Sequence, residues 1–570
     1  MAILALPTEL LVKIFEEVPH FTDILACAGV CSLFRNVIET STCLNYRIEL
    51  ERAGMIDNPY CTLSTTTRLE MLRERERAWG HFDGKVIARE LVLPSESTSS
   101  PFYKVTPCAV VLGMNYPGVV YETIGLQSIK LPCTEEEGLS VRWKGVDIGE
   151  KILDFGMAIE EHDLLAYVTH EFSVATPSRR RLCLVLRHHS DPLRSHKDAS
   201  ISRIPICLFT IGHPTANVEV AGENVAIATT ILDEGATFIN RIYVFNWKTG
   251  LNKTPVPLQG SSEKPVFLRE DILLSPMEDF SFFVYFIPPS SSPSSFSRLV
   301  LSLGLPKLAD NQIIESIEPQ CSPSPTRSSM FPKNLSQERP FFNDPMAATV
   351  VFSFTIELAH SEEEEQWAMV VHRKSILALL PSHELVGGLS TPFTHVPWES
   401  WGPPVTRWFC VDVVAAQFRM NSSGQRYVQH LEMDQRLRVS PYRSITDFDF
   451  NPWNVRYVRA HKERILAERR ICSDEFEIDV VGEDIPFRNP KADAVAPPKT
   501  IYLSQILEGN QGRLPYIRYT CTRWPYYEMV FMDEERLIGM HASPSPNYIA
   551  MGRYLLTVIF DYTTGRRRQK

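Results

Sequence analysis

The chain has 570 residues and a formal net charge of −10, long enough for one large domain beside a smaller one. That charge excludes a general nucleic-acid binder, which needs a basic face against phosphate. An apolar fraction of 44% with 22% charged residues excludes a chain disordered throughout. The 12 cysteines are scattered and form no CxxC, which fits reduced thiols in cytosol or nucleus rather than a disulfide framework. The sequons at Asn252, Asn334 and Asn421 are therefore expected to stay unmodified. No basic n-region precedes the first apolar residues, and no uncharged apolar run of about 18 residues occurs. Neither a secretory leader nor a membrane-crossing helix is expected.

In chain order, the first elements read as helices. Pro7 fits the first turn of a helix, where its missing N–H costs nothing, and Glu9 complements the dipole there. Leu10, Leu11, Ile14, Phe15 and Val18 recur at helical spacing in one stripe. Pro19 ends that helix, because the residue before a proline avoids the α region. Thr22 or Asp23 caps a second short helix over 24–28. Gly29 breaks it, and Val30, Cys31, Phe34, Val37 and Ile38 repeat the period in a third. Three short helices cannot bury all these side chains among themselves, so the rest of the chain or a partner must cover the stripe. Residues 45–55 and 68–79 read as two more helices, the first stopped at Gly54. In the second, Leu69, Leu72 and Trp79 lie near one face, and 73–77 mixes signs along a solvated one.

The string Leu6, Pro7, Glu9, Leu10, Ile14 and Phe15, then Asp23-Ile24-Leu25, then Val30-Cys31 with Phe34 and Arg35, resembles an F-box. That family's pattern runs LPxEL, a helix, a DL step and VCxxW. Phe34 stands where the family has tryptophan, and Pro19-His20-Phe21-Thr22 where it has a Leu-Asp-Pro turn. The resemblance implies that this segment binds the Skp adaptor of an SCF ubiquitin ligase and, through it, a cullin scaffold. It implies Leu6, Pro7, Leu10, Leu11, Ile14, Phe15, Leu25 and Val30 as the adaptor-binding residues. The next two helices look like the connectors of a large group of fungal F-box proteins. Residues 396–409 (VPWESWGPPVTRWF), 444–458 (SITDFDFNPWNVRYV) and 516–540, ending MVFMDEERLIGM, look like signature segments of the same group.

After about Lys85, short runs rich in Val, Ile, Phe and Tyr alternate with Gly, Pro, Asn, Asp and Ser, the pattern of strands and turns. Helical periodicity returns only at 458–468. Residues 152–170 and 270–287 each read strand, acidic turn, strand. Within 218–250, NVAIATT is followed by RIYVFNWKTG, which resembles the third strand of a WD-type blade with Trp247 at its end. Units of roughly 40–60 residues fit four-stranded blades. The expected fold is therefore α+β and multidomain: an F-box over 1–45, connector helices over 46–84, and over 85–570 a large all-β domain, a degenerate β-propeller of six to eight blades. Residues 288–297 and 320–339, rich in Pro and Ser, read as disordered loops between blades. Ser322 and Ser324 each precede proline, but a plain solvated loop is the simpler reading. Glu362–Glu365 reads as an acidic hairpin tip, and Arg566–Arg568 are too few charges for a nuclear-import signal.

No P-loop, GxGxxG, GxSxG or HExxH is present. His188-His189, with Asp191 and His196, is the one tight histidine pair, but adjacent side chains in a strand point to opposite faces, against a zinc site. Cys27 and Cys31 read as core. Trp398, Trp401 and Trp408 read as packing rather than an aromatic cage. No catalytic residue, cofactor or metal is expected. The resemblance implies a non-catalytic substrate-recognition subunit with an unidentified target protein. The alternatives are a propeller scaffold whose helices cap its own core and, more distantly, a propeller enzyme, which needs carboxylates and histidines at one channel mouth. An exposed Leu10–Ile14–Phe15 stripe favours adaptor binding, and a buried one the cap.

Overall fold

The computed structural model describes residues 3–81, 90–92, 103–106, 109–115, 122–131, 143–173, 179–235, 237–290, 297–309, 311–325, 339–358, 364–381, 393–411, 421–431, 442–469, 476–482, 512–525, 529–542 and 554–561. Helix α1 (Thr8–Glu16) begins directly after Pro7. Helix α2 (Phe21–Ala28) starts ahead of the expected cap at Thr22 or Asp23. Phe21 is buried, meets the Trp453 ring edge-on at 4.8 Å and gives its N–H to Glu51, so tertiary contacts rather than the N-cap residue's own side chain set this start. Helices α3 (Ser32–Thr40) and α4 (Thr42–Arg52) follow, with Ser41 Oγ accepting from Leu44 N at 3.4 Å. The boundary expected at residue 45 therefore falls inside α4. Gly54 ends α4 at φ 67°, a left-handed position that a side chain would strain. Helix α5 (Thr65–His81) completes the connector.

Leu11, Phe15, Ile24, Phe34, Val37, Ile38 and Leu44 form the bundle core, with Phe15 and Phe34 edge-to-face at 5.2 Å. Phe34 fills the family's tryptophan position as an aromatic core residue. A second cluster, Tyr46, Leu50, Met55, Leu69 and Leu72, packs α4 and α5 onto Phe341 of the β-domain.

The β-domain is a ring of seven blades among the described residues, within the six to eight expected. They span 103–147, 152–209, 211–259, 266–304, 312–411 and 422–525, and the seventh pairs 529–561 with the early strand Glu90–Val92. Each is antiparallel and four-stranded, except that blades 4 and 6 carry a fifth strand. Blade 4's extra strand, Thr394–Val396, joins in parallel. Closure comes from Glu90–Val92 lying antiparallel on Tyr554–Asp561, with Leu91 opposite Leu556. The blade 3 strand Phe238–Asn246 is the third of its sheet, and Trp247 at its end is fully buried, its Nε1 donating to Gly222 O at 3.0 Å.

Seven apolar clusters fill the seven junctions between neighbouring blades. Phe155 and Val111 meet between blades 2 and 1, Val168 and Val218 between 2 and 3, and Val244 and Phe267 between 3 and 4. Phe282 and Phe352, stacked at 4.4 Å, lie between blades 4 and 5, and Phe409 and Phe448, at 4.5 Å, between 5 and 6. Ile517 and Leu537 join 6 to 7, and Phe531 and Val110 join 7 back to 1. Trp398, Trp401 and Trp408 belong to the 4–5 junction, where Trp401 Nε1 donates to Gly304 O at 2.9 Å. Arg407 beside them donates to Leu514 O at 3.0 Å and lies over the Tyr516 ring, with no acid paired to it among the described residues. The helix that begins within the 444–458 segment extends over Pro452–Arg469, farther than the 458–468 expected. Residues 291–296 and 326–338, the bulk of both Pro/Ser-rich stretches, lie outside the described residues, as do 359–363 and the terminal arginines.

Candidate functional site

Helical spacing divides the α1 stripe into two faces. Leu11 and Phe15, at 0% and 3% exposure, point into the bundle, whereas Leu10 and Ile14, at 47% and 40%, point out. Pro7 is exposed and Leu6 half-buried against the bundle core. Leu25 and Val30 are also exposed. The expected contact set therefore separates into five outward residues (Pro7, Leu10, Ile14, Leu25, Val30), a half-buried Leu6, and Leu11 and Phe15, which the core consumes. Ile3, Leu4 and Leu33 join the outward group. Seven of the twenty exposed large apolar side chains among the described residues fall within 3–33, a concentration rather than scattered single exposures.

The bundle is fastened from behind. Arg47 of α4 donates to Val18 O at 2.5 Å, to Pro19 O at 3.0 Å and to Glu16 O, and its Nε pairs with Glu51 at 3.0 Å. Glu51 in turn accepts from Phe21 N at 3.2 Å. One Arg–Glu pair thus holds the turn at Pro19–Phe21 where the sequence departs from the family. Below it, Met55–Asp57 pairs antiparallel with Phe341–Asn343 of the β-domain. Asn451 Nδ2 donates to Arg52 O at 2.8 Å, and Arg75 donates to Glu534 O at 2.9 Å. Asp447 and Asp449 grip Arg426 at 2.6 and 2.9 Å, and the guanidinium lies 4.9 Å from the Trp79 ring centre. The segments 444–458 and 516–540 are, on this geometry, the seat of the helical domain.

Residues 3–50 match the F-box-like family. This F-box-like domain comprises α1 to α3 and nearly all of α4. No curated protein matches the chain. Among solved structures, the chain is similar to the WD40 domain of coronin from Toxoplasma gondii, at 9% identity and a TM-score of 0.35, covering 85% of this chain and 87% of that one.

The first strands of blades 1 to 5 line a central channel of about 1160 Å³, whose mouth nearest the F-box-like domain holds Glu534, its carbonyl bonded to Arg75. Glu160 and Glu161 of blade 2 and Glu534 of blade 7 converge at that mouth. Arg339 reaches Glu160 at 3.5 Å, Glu535 at 3.5 Å, and Glu534. Sequence reasoning missed this cluster, because its members come from blades far apart in the chain. The acidic turn at 160–163 was the one visible sign. His162, next in sequence, packs on Trp247 at 5.3 Å rather than on this cluster.

Of the histidines in this stretch, His188 and His196 have a structural role. His188 Nδ1 lies 3.2 Å from Asp163 Oδ2, and its Nε2 accepts from Lys197 N at 3.1 Å. His196 stacks on it at 4.3 Å, with Nε2 toward His162 O at 2.9 Å and Nδ1 accepting from Asp198 N at 3.2 Å. All four ring nitrogens are engaged, so neither ring offers a lone pair to a metal. Burial pushes His196 below its ordinary value, disfavouring a charge on that ring.

Proposed function

We propose that the protein is a non-catalytic substrate receptor of an SCF-type ubiquitin ligase, using its F-box-like domain to hold a Skp-type adaptor, and so a cullin, and its propeller to hold a target protein. The observation that carries this is the outward apolar group Pro7, Leu10, Ile14, Leu25 and Val30 on a bundle whose other face is fixed to the β-domain. A cap made for the chain's own core would have these side chains inside. The energy of adaptor binding comes mainly from burying them, each fully buried large side chain contributing about 1.5–3 kcal/mol. Catalysis by such a subunit is proximity, with no reacting side chain of its own. Cytosol or nucleus is the compartment this role requires.

The test is capture of the Skp adaptor from host extract by the full-length chain, beside Leu10→Asp/Ile14→Asp. Both sites are exposed, so the double variant is expected to fold and melt like the wild type while losing capture. A folded wild type that captures no adaptor sinks the ligase role.

A further inference from the structure

One lysine of the channel wall stands without a counter-ion. Lys104 is the middle residue of Tyr103–Val105, the first strand of blade 1. Side chains alternate along a strand. Tyr103 and Val105 pack into the junction with blade 7, and Lys104 takes the other side. Its cross-strand partner Val111 lies in the junction with blade 2. The groups that act on Lys104 there are Lys264, just ahead of the first strand of blade 4, Asp154 of blade 2 and Glu219 of blade 3.

Both carboxylates are committed elsewhere. Asp154 Oδ2 accepts from Val218 N at 2.6 Å, and Glu219 holds Lys264 at 2.5 Å. Lys104 itself forms no ion pair or hydrogen bond among the described residues. Glu219 outweighs burial at Lys264 and keeps that ammonium charged, so a second positive charge beside it is opposed. Burial and the Lys264 charge, against the weaker pull of Asp154 and Glu219, depress Lys104 to about 8. About one such amine in ten is then neutral at pH 7, against fewer than about one in a thousand for an ordinary lysine. The wall around it is in good part apolar, with Ile152, Met157, Val220, Val266 and Pro319. A lysine freed of its proton by burial and a neighbouring cation is the form of this side chain that adds to carbonyls.

We propose that Lys104 is an imine-forming amine, which captures the carbonyl carbon of a small aldehyde or ketone held in the channel. The Nζ lone pair forms the C–N bond as the carbonyl opens to a carbinolamine. Loss of its oxygen as water, with both amine protons, leaves the C=N bond, and nothing is oxidised or reduced. The channel's volume of about 1160 Å³ is ample for such a molecule. This site needs only the channel and is independent of the receptor reading.

The experiment treats the purified full-length chain with limiting benzaldehyde and sodium cyanoborohydride, which reduces each imine to a stable benzylamine, and maps the modified lysines by mass spectrometry. Lys13 and Lys197, both exposed, are the comparators. At pH 7 Lys104 should be modified at least about tenfold faster than either. The ratio of Lys104 to Lys13 modification cancels the pH dependence of the reductant. It should be flat below about pH 8 and fall above it, as Lys104 becomes fully neutral while an ordinary lysine does not. Access alone would give one ratio at every pH. Lys264→Gln removes the neighbouring charge and releases Glu219 to pair with Lys104, so modification at pH 7 should fall about tenfold. Should that variant melt early, the wild-type pH profile decides by itself. A ratio that stays flat to pH 10 overturns the proposal, as does a Lys104 left unmodified where Lys13 reacts, or equal modification in a folded Lys264→Gln.

Discussion

Arg426 is almost wholly buried, so its charge is a cost unless its neighbours offset it. Asp447 and Asp449, at 0% and 1% side-chain exposure, do so with two short hydrogen bonds, and Asn454 Nδ2 and Asn451 N complete the Asp449 carboxylate. Such a group adds little net stability over an apolar core of the same shape, but it admits only one geometry. Here that geometry places Asn451 against Arg52 and Trp453 against Phe21. His372 shows the opposite solution, a lone buried ring kept neutral. It is 5% exposed, and burial with the nearby Lys374 charge depresses it to about 4. A histidine whose folded value lies below its unfolded one takes its proton preferentially in the unfolded chain. Its contribution is therefore intact above about pH 6.5 and is lost as pH falls toward 4, with about 2 kcal/mol gone by pH 5. Urea unfolding at both pH values should show a His372→Leu variant losing about that much less than the wild type between pH 6.5 and 5. Equal losses would mean that the ring protonates freely in the folded protein.

Among the elements, α5 joins the two domains. Its Trp79, at 1% exposure, enters the junction between blades 6 and 7 and lies under Arg426. Trp79→Ala would leave a cavity between the blades and an uncovered guanidinium, a loss of about 3–5 kcal/mol. A lower urea midpoint with an unchanged slope is the expected result, with adaptor capture kept at permissive temperature because the outward residues lie on α1 and α2 and the turn after α2. An unchanged midpoint would make α5 a surface strap rather than part of the core. The helices were legible because apolar spacing, Pro7, Pro19 and Gly54 all point the same way. Blades 2 to 4 were legible for a similar reason, with strands and turns at short intervals. Blades 5 and 6 were not, because the insertions at 321–348, 373–405 and 450–515 stretch the repeat. Period alone could show that α1 carries an apolar stripe, but not that Leu10 and Ile14 face out while Leu11 and Phe15 face in. The acidic cluster around Arg339 was invisible for a topological reason: positions 160, 339 and 534 meet only when the ring closes.

For the whole molecule, that closure decides how the junctions share stability. Each apolar cluster belongs to two blades, so no blade has a core of its own and the ring is expected to unfold as one unit. The hydrogen-bonded link between the ends of the β-domain is Glu90–Val92 on Tyr554–Asp561. Removing residues 554–570 takes the third strand from blade 7 and strands the closing one. It leaves the edge of Arg536–Ala542 unpaired, open to pairing with another chain. Phe531 and Ile538 would still touch Val105 and Ile129 at the junction with blade 1, but with nothing to hold the blades in register. The truncated protein should melt earlier and over a broader range, and amide exchange should rise first in blades 7 and 1 and least in blades 3 and 4, across the ring. The F-box-like domain is seated on blades 5, 6 and 7, so its own amides should loosen along with blade 7. A uniform rise around the ring would mean that closure stabilises all blades equally. No change at all would show that the seven apolar junctions hold the circle without its strand.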